Sequence, residues 1–182
     1  KVSGIVKGET VDFTITGSQT SVGTSDNTYE LDWTGSAKES NYKHGKDSIG
    51  TLTVTAKSIN PDDEKTGITV TDPEDSIYDG NEHINGLTVT DSKLNTTLAE
   101  GTDYTLTYSE DVINVGTVTV TITGTGNYEG TVDTSYEITP RKVTMTSADD
   151  TKVYDGNALT KKKVTESGNG FVEGEGATYD VT

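Results

Sequence analysis

Apolar residues in this chain recur at every second position in a series of short runs. Val11, Phe13 and Ile15 alternate with polar neighbours, as do Tyr29, Leu31 and Trp33. So do Leu52 and Val54; Leu87 and Val89; Tyr104, Leu106 and Tyr108; Val118, Val120 and Ile122; and Tyr136 and Ile138. A period of two puts alternate side chains on one face of a sheet, so each run predicts a β-strand. The intervening positions are mostly Thr, of which the chain has 35. Thr is β-branched and stiff at χ1, which suits a strand, and its hydroxyl tolerates water. The strands therefore read apolar inward and polar outward, the pattern of antiparallel sheets wet on one side. No segment of ten or more residues shows a 3.6-residue apolar period; only residues 91–100 suggest one short helical turn between strands. The fold class is all-β.

Turn chemistry separates the runs. Asp79-Gly80, Asp155-Gly156, Asn85-Gly86 and Asn169-Gly170 pair residues that tolerate positive φ, a short-range hairpin signal. Gly124 and Gly126 end the run that begins at Thr117.

The chain also repeats itself. Val54-Thr55-Ala56-Lys57-Ser58-Ile59 matches Ile138-Thr139-Pro140-Arg141-Lys142-Val143 at an offset of 84 residues. Tyr78-Asp79-Gly80-Asn81 returns as Tyr154-Asp155-Gly156-Asn157 after 76. Gly4-Ile5-Val6-Lys7-Gly8-Glu9 aligns with Gly170-Phe171-Val172-Glu173-Gly174-Glu175, and Phe13 with Tyr179, at an offset of 166. These offsets predict one complete module over 57–140, the later part of another over 1–56, and the opening part of a further copy of that type over 141–182. Joining 141–182 to 17–56 gives one module of 82 residues. An unfinished module leaves strand edges open and an apolar face wet. The first and last segments are therefore expected to complete one another, by folding back or by strand exchange between chains.

Composition narrows the function. Val, Ile, Leu and Phe total 36 residues, near the level at which highly charged chains stay disordered. Nine Tyr and the regular alternation argue for a folded chain. The net charge of −16 makes nucleic acid an unsuitable partner, and the one basic run, Lys161-Lys162-Lys163, is too short to change that. There is no Cys, hence no disulfide, zinc ribbon or thiol nucleophile. Nothing approaches the roughly 18 apolar residues of a membrane span, and no signal peptide or lipidation motif is visible.

Several motifs combine into a resemblance. Gly101-Thr102-Asp103-Tyr104-Thr105-Leu106-Thr107-Tyr108, the run 114–122, and Gly124-Thr125-Gly126-Asn127-Tyr128-Glu129-Gly130 resemble Ig-like repeats of secreted bacterial surface proteins. Lys152-Val153-Tyr154-Asp155-Gly156 resembles the start of the related YDG (MBG-type) repeats. The resemblance covers most of the chain and is closest over 78–138. It implies tandem Ig-like antiparallel β-sandwich modules in an elongated string, found in large proteins that are often wall-anchored in Gram-positive bacteria. It implies an extracellular stalk or adhesin segment whose partners are neighbouring repeats of the same protein, and host glycan or protein where the module itself binds. It brings no catalytic residue. Such proteins sometimes carry self-formed Lys–Asn cross-links; Lys142 and Lys152 border expected strands, but no pairing motif accompanies them.

Other chemistry finds little support. His44 and His83 stand in turn-rich polar stretches without a partner His or a nucleophile motif and are expected at the surface. No phosphate-binding glycine loop is present. A carboxylate pair for glycoside hydrolysis would need a cleft that modules of this size scarcely hold. Calcium is the one cofactor with candidate ligands: Asp62 and Asp63 beside Glu64, Asp72 and Asp75 around Glu74, and Asp149 with Asp150. Their spacing matches no EF-hand. Trp33 could stack on a sugar, but it shares parity with Leu31 and Tyr29, which points it at the core.

Overall fold

The computed structural model describes residues 2–43 and 45–178. Among them there are fifteen strands and one short 3-10 turn, Glu39–Asn41, with no α-helix. The protein is all-β. The first four strands are β1 (Asp12–Ile15), β2 (Gly23–Asn27), β3 (Tyr29–Asp32) and β4 (Gly50–Val54). β1 pairs with β3, and β2 with β4, both antiparallel.

Residues 57–139 form the most heavily buried part. Its strands are β5 (Lys57–Ser58), β6 (Ile68–Thr71), β7 (Ser76–Ile77), β8 (Thr88–Asp91), β9 (Thr96–Thr97), β10 (Tyr104–Tyr108), β11 (Gly116–Gly124), β12 (Tyr128–Glu129) and β13 (Thr131–Thr139). One sheet has the order β10-β11-β13-β7 and another the order β6-β8-β9. β5 and β12 pair in parallel beside them. A hairpin of β14 (Val143–Ser147) and β15 (Val164–Gly168) follows.

Alternation explains where the core lies. On β11, Val118, Val120 and Ile122 are buried while Thr117 and Thr119 face water. The outward Thr hydroxyls are used: Thr121 donates to Asp133 at 2.6 Å and Thr117 to Glu137 at 2.5 Å across the β11–β13 pair. Inward side chains of both sheets meet in one cluster, with Ile68 and Val89 from β6 and β8 against Tyr104 and Ile122 from β10 and β11. Ile59 and Tyr128 close its end, and a second cluster joins Val118, Val120, Tyr136 and Ile138. Each such side chain contributes roughly 1.5–3 kcal/mol by leaving water. Among the described residues, Ala37 is the only buried apolar residue outside 59–138.

The pairings repeat along the chain. Phe13 opposes Leu31 and Ile15 opposes Tyr29, as Tyr104 opposes Gly124 and Leu106 opposes Ile122. Gly23 opposes Val54, and Gly116 opposes Ile138. β1–β4 thus repeat the pairing scheme of β10, β11 and β13, with the long β11 replaced by β2 and β3. The turn at residues 4–9 also recurs. Glu9 N–H donates to Val6 O at 3.0 Å, and Glu175 N–H to Val172 O at 2.9 Å.

Three local expectations are corrected. Residues 91–100 form no helical turn: Asp91 ends β8, a turn with Asn95 at φ 51° follows, and the chain returns as β9. Asp79-Gly80 and Asp155-Gly156 do not close hairpins, because each Asp carboxylate caps its own turn instead. Strands β2, β5, β6, β7, β9, β12, β14 and β15 lie outside the alternating runs read from the sequence.

Candidate functional site

The two Tyr-Asp-Gly turns share one geometry. Asp79 Oδ1 accepts from Asn81 N–H at 2.9 Å, and Asp155 Oδ1 from Asn157 N–H at 3.0 Å. Gly80 and Gly156 sit at φ 81° and 80°, the left-handed region that favours glycine. The Asn81 backbone and side-chain hydrogen bonds hold the Asp79 carboxyl below its usual range, helped by His83 and Arg141. For Asp155 the Lys152 ammonium, 2.6 Å away, is the main cause of the same shift.

Their surroundings differ. Tyr78 is half-buried against the core, its N–H bonded to Thr139 O at 2.9 Å and its hydroxyl to Glu175 at 2.5 Å. That hydrogen bond and burial raise the Tyr78 pKa. Val172 lies against Gly80, so the 170–175 turn seats directly on the first Tyr-Asp-Gly turn. Arg141 ties the same segment down, with Nε 2.8 Å from Gly170 O and Nη2 2.7 Å from Asn169 O. Tyr78 lays its ring against the core, whereas Tyr154 is 92% exposed. No sheet in the described structure covers Tyr154.

A buried charge cluster lies at the start of the central region. Asp91 is fully buried at the end of β8. Its Oδ2 takes the Lys57 ammonium of β5 and the Tyr128 hydroxyl of β12, the latter at 3.1 Å. Its Oδ1 accepts from the backbone N–H groups of Lys93 and Leu94 at 3.0 and 3.1 Å. Burial opposes ionisation, yet the bonds from Lys57, Leu94 and Tyr128 together hold Asp91 below its usual range. Burial and the hydrogen bond to Asp91 push Tyr128 up to about 12. Its contacts make the cluster a clasp joining β5, β8 and β12. Sequence reasoning considered Lys142 and Lys152 and missed Lys57; the only available signal was its place in the basic junction that repeats at Arg141-Lys142. Lys152 instead lies at the surface with Asp155.

The clasp gives stability a pH dependence. The folded Asp91 value lies below that of an unfolded Asp, about 3.9, so its stabilisation is present above that pH and lost as pH falls through the folded value. The folded Tyr128 value is raised, so its contribution is full below about 10 and lost as pH rises toward about 12. Thermal melts across pH should show a plateau in between with a fall at each end, and Tyr128→Phe should remove this residue's share of the alkaline fall.

A third feature is aromatic. Trp33 stacks on Tyr42 at 5.5 Å and Phe13 on Tyr29 at 4.6 Å. Tyr29, Leu31, Trp33, Tyr42, Glu39 and Asp47 line an open cavity of about 290 Å³, and Tyr29 donates to Asp47 at 2.5 Å. Trp33, expected in the core, is half-buried and belongs to neither core cluster; it stacks on Tyr42 at the wall of this cavity instead.

The calcium candidates are scattered. Asp63 Oδ1 accepts from Lys65 N–H, Asp72 from Thr134, Asp75 from Glu137 N–H, and Asp150 faces Lys161. Asp62 donates its N–H to Asn60, and Asp149 is exposed. Among the described residues, no group of three or more His, Asp or Glu is placed to hold a metal ion. His83, expected at the surface, has a side chain only 14% exposed, with Nε2 3.1 Å from Asp79. Val112 O and the Tyr136 hydroxyl bind its backbone, which draws it inward. His44 lies outside the described residues.

Comparison with known proteins adds no relative. No family model, curated protein or solved structure matches the chain.

Proposed function

We propose that this chain is a non-catalytic structural segment of an extracellular bacterial surface protein. In this reading it is a string of Ig-like β-sandwich modules of the YDG/MBG type that holds a binding region away from the cell. Residues 57–140 are one module, 1–56 the later part of another, and 141–182 the opening of a further one. The observation that carries the proposal is the repeated register: Gly23 opposite Val54 and Gly116 opposite Ile138, with the same Tyr-Asp-Gly turn twice. Repetition of a scaffold, with its polar groups engaged in its own turns, suits a spacer better than a reaction centre. The carboxylates with lowered pKa fit this, since Asp79, Asp111 and Asp155 each accept from backbone N–H groups of their own turns. Acidity and abundant Thr would keep such a stalk soluble without covalent staples.

Small-angle scattering tests the elongated arrangement. A compact 182-residue domain has a radius of gyration of about 16 Å. A clearly larger value is expected, and one near the compact figure would reject the string of modules.

A second reading has its own observation. The cavity beside Trp33 presents stacked aromatic faces next to Glu39 and Asp47, the furniture of a sugar site. It would make the segment an adhesin module that binds host glycan directly. A glycan array with the wild type and Trp33→Ala separates the two. A spacer gives no specific signal; binding lost in Trp33→Ala favours the adhesin.

A further inference from the structure

Four pairs in this chain set an Asp or Asn directly before glycine: Asp79-Gly80, Asn85-Gly86, Asp155-Gly156 and Asn169-Gly170. Such pairs are prone to one reaction of their own. The backbone nitrogen of the glycine attacks the side-chain carbonyl carbon of the residue before it, because glycine has no Cβ to hinder the approach. The fold restrains three of the four. Asp79 accepts from Asn81 N–H at 2.9 Å and Asp155 from the Lys152 ammonium at 2.6 Å, contacts that hold both carboxyls below their usual range. An ionised carboxylate resists nucleophilic attack. Asn85 is half-buried, and its Nδ2 donates to Glu74 O at 2.6 Å and to Ser76 Oγ at 2.8 Å, so the amide that would have to leave is anchored. Its main-chain oxygen accepts from a neutral donor, the Tyr108 hydroxyl, at 3.1 Å.

Asn169 differs on each count. It is exposed, and among the described residues its hydrogen bonds run through the backbone alone. Its N–H donates to Lys142 O at 2.9 Å, and its O accepts from Arg141 Nη2 at 2.7 Å. Gly170 O accepts Nε of the same guanidinium at 2.8 Å. Gly170 sits at φ 69° with nothing within 4 Å of where a Cβ would stand, so this peptide is open on that side. The oxygen that Nη2 binds belongs to the same peptide group as the Gly170 nitrogen. When that nitrogen loses its proton, negative charge spreads onto the oxygen, and the guanidinium stabilises it there as a donor stabilises an oxyanion.

We propose that Asn169-Gly170 is a self-modification site, at which the chain converts its own Asn169 to an Asp or isoaspartyl residue with Arg141 promoting the first step. Gly170 N–H gives its proton to solvent base, and the nitrogen forms a bond to Asn169 Cγ. The Cγ–Nδ2 bond breaks, and Nδ2 takes a proton from water and leaves as ammonia. The product is a five-membered imide. Water then opens the ring at one of its two carbonyls. Cleavage at Cγ restores the original backbone with an Asp side chain; cleavage at the former main-chain carbonyl leaves the backbone running through Cβ and Cγ. Either product adds a negative charge beside Arg141. The isoaspartyl product also lengthens the backbone just ahead of the turn where Val172 lies against Gly80 and Glu175 meets the Tyr78 hydroxyl. That displacement makes the reaction a slow, irreversible release of the 170–175 turn from the Tyr-Asp-Gly turn. Water is the only co-reactant, so the site operates in a spacer and in an adhesin alike.

Incubating the full chain in mildly alkaline buffer, folded and in urea, and mapping its peptides by mass spectrometry tests this. In urea both Asn-Gly pairs should convert at similar rates, because no folded contact acts there. In the folded chain Asn169 should convert about tenfold or more faster than Asn85, whose groups are held out of attack geometry. Arg141→Gln should slow folded Asn169 by about threefold or more and leave its rate in urea unchanged; the exposed contact gives less than a buried oxyanion donor. A guanidinium that merely kept the turn rigid would have the opposite effect, a faster reaction once removed. Hydrogen exchange on the isoaspartyl fraction should quicken over residues 170–176 and stay unchanged over 57–139. Equal folded rates at Asn169 and Asn85 overturn the site. An Arg141→Gln rate at or above that of the wild type overturns the role of the guanidinium, and unchanged exchange overturns the release.

Discussion

Asp91→Ala is expected to lower the unfolding free energy by about 3–4 kcal/mol, the lower part of the roughly 3–5 kcal/mol range for breaking a buried charge pair by removing one partner. The substitution strands four donors at once: the Lys57 ammonium, the Tyr128 hydroxyl and the N–H groups of Lys93 and Leu94. Tyr128 is nearly buried and cannot fully rehydrate, whereas the Lys57 side chain is 26% exposed and can turn to water. That partial escape places the cost below the upper end of the range. Urea unfolding reads it as a lower midpoint at unchanged slope. Adding Lys57→Met should recover part of the loss, because the double variant no longer holds an unpaired cation. Additive single and double losses would mean that Lys57 and Asp91 are not coupled in the folded state.

Ile122→Ala should cost a further class of energy, about 3–4 kcal/mol of lost burial and residual cavity. Ile122 is fully buried where side chains of both central sheets meet. The informative control is Ile15→Ala, at the position of the repeated register that corresponds to Leu106, the residue opposite Ile122. Ile15 is half in water, so its truncation should cost below about 1 kcal/mol in dilute solution. Equal losses at the two positions in dilute solution would contradict the uncovered face.

The pattern of side chains carried the strands and the repeats. Val118, Val120 and Ile122 alternate with Thr in sequence, and they are buried while Thr117 and Thr119 face water. Hairpin signals fared worse, since Asp79 and Asp155 spend their carboxylates on the amides of Asn81 and Asn157. A dipeptide shows that positive φ is affordable, but not which hydrogen bond closes the turn. Trp33 shows the limit of parity. Its face is right for a core, but burial depends on a second layer that no local pattern supplies.

The all-β class, the inward parity of the central strands and the two repeated turn motifs were written in the order of residues, because period-two alternation and glycine's positive φ are local properties. The clasp of Lys57, Asp91 and Tyr128 was not, since its members lie on three strands and meet only when sheets pack. Which apolar faces end in water was likewise decided in three dimensions, because burial requires a partner surface and alternation specifies only a direction.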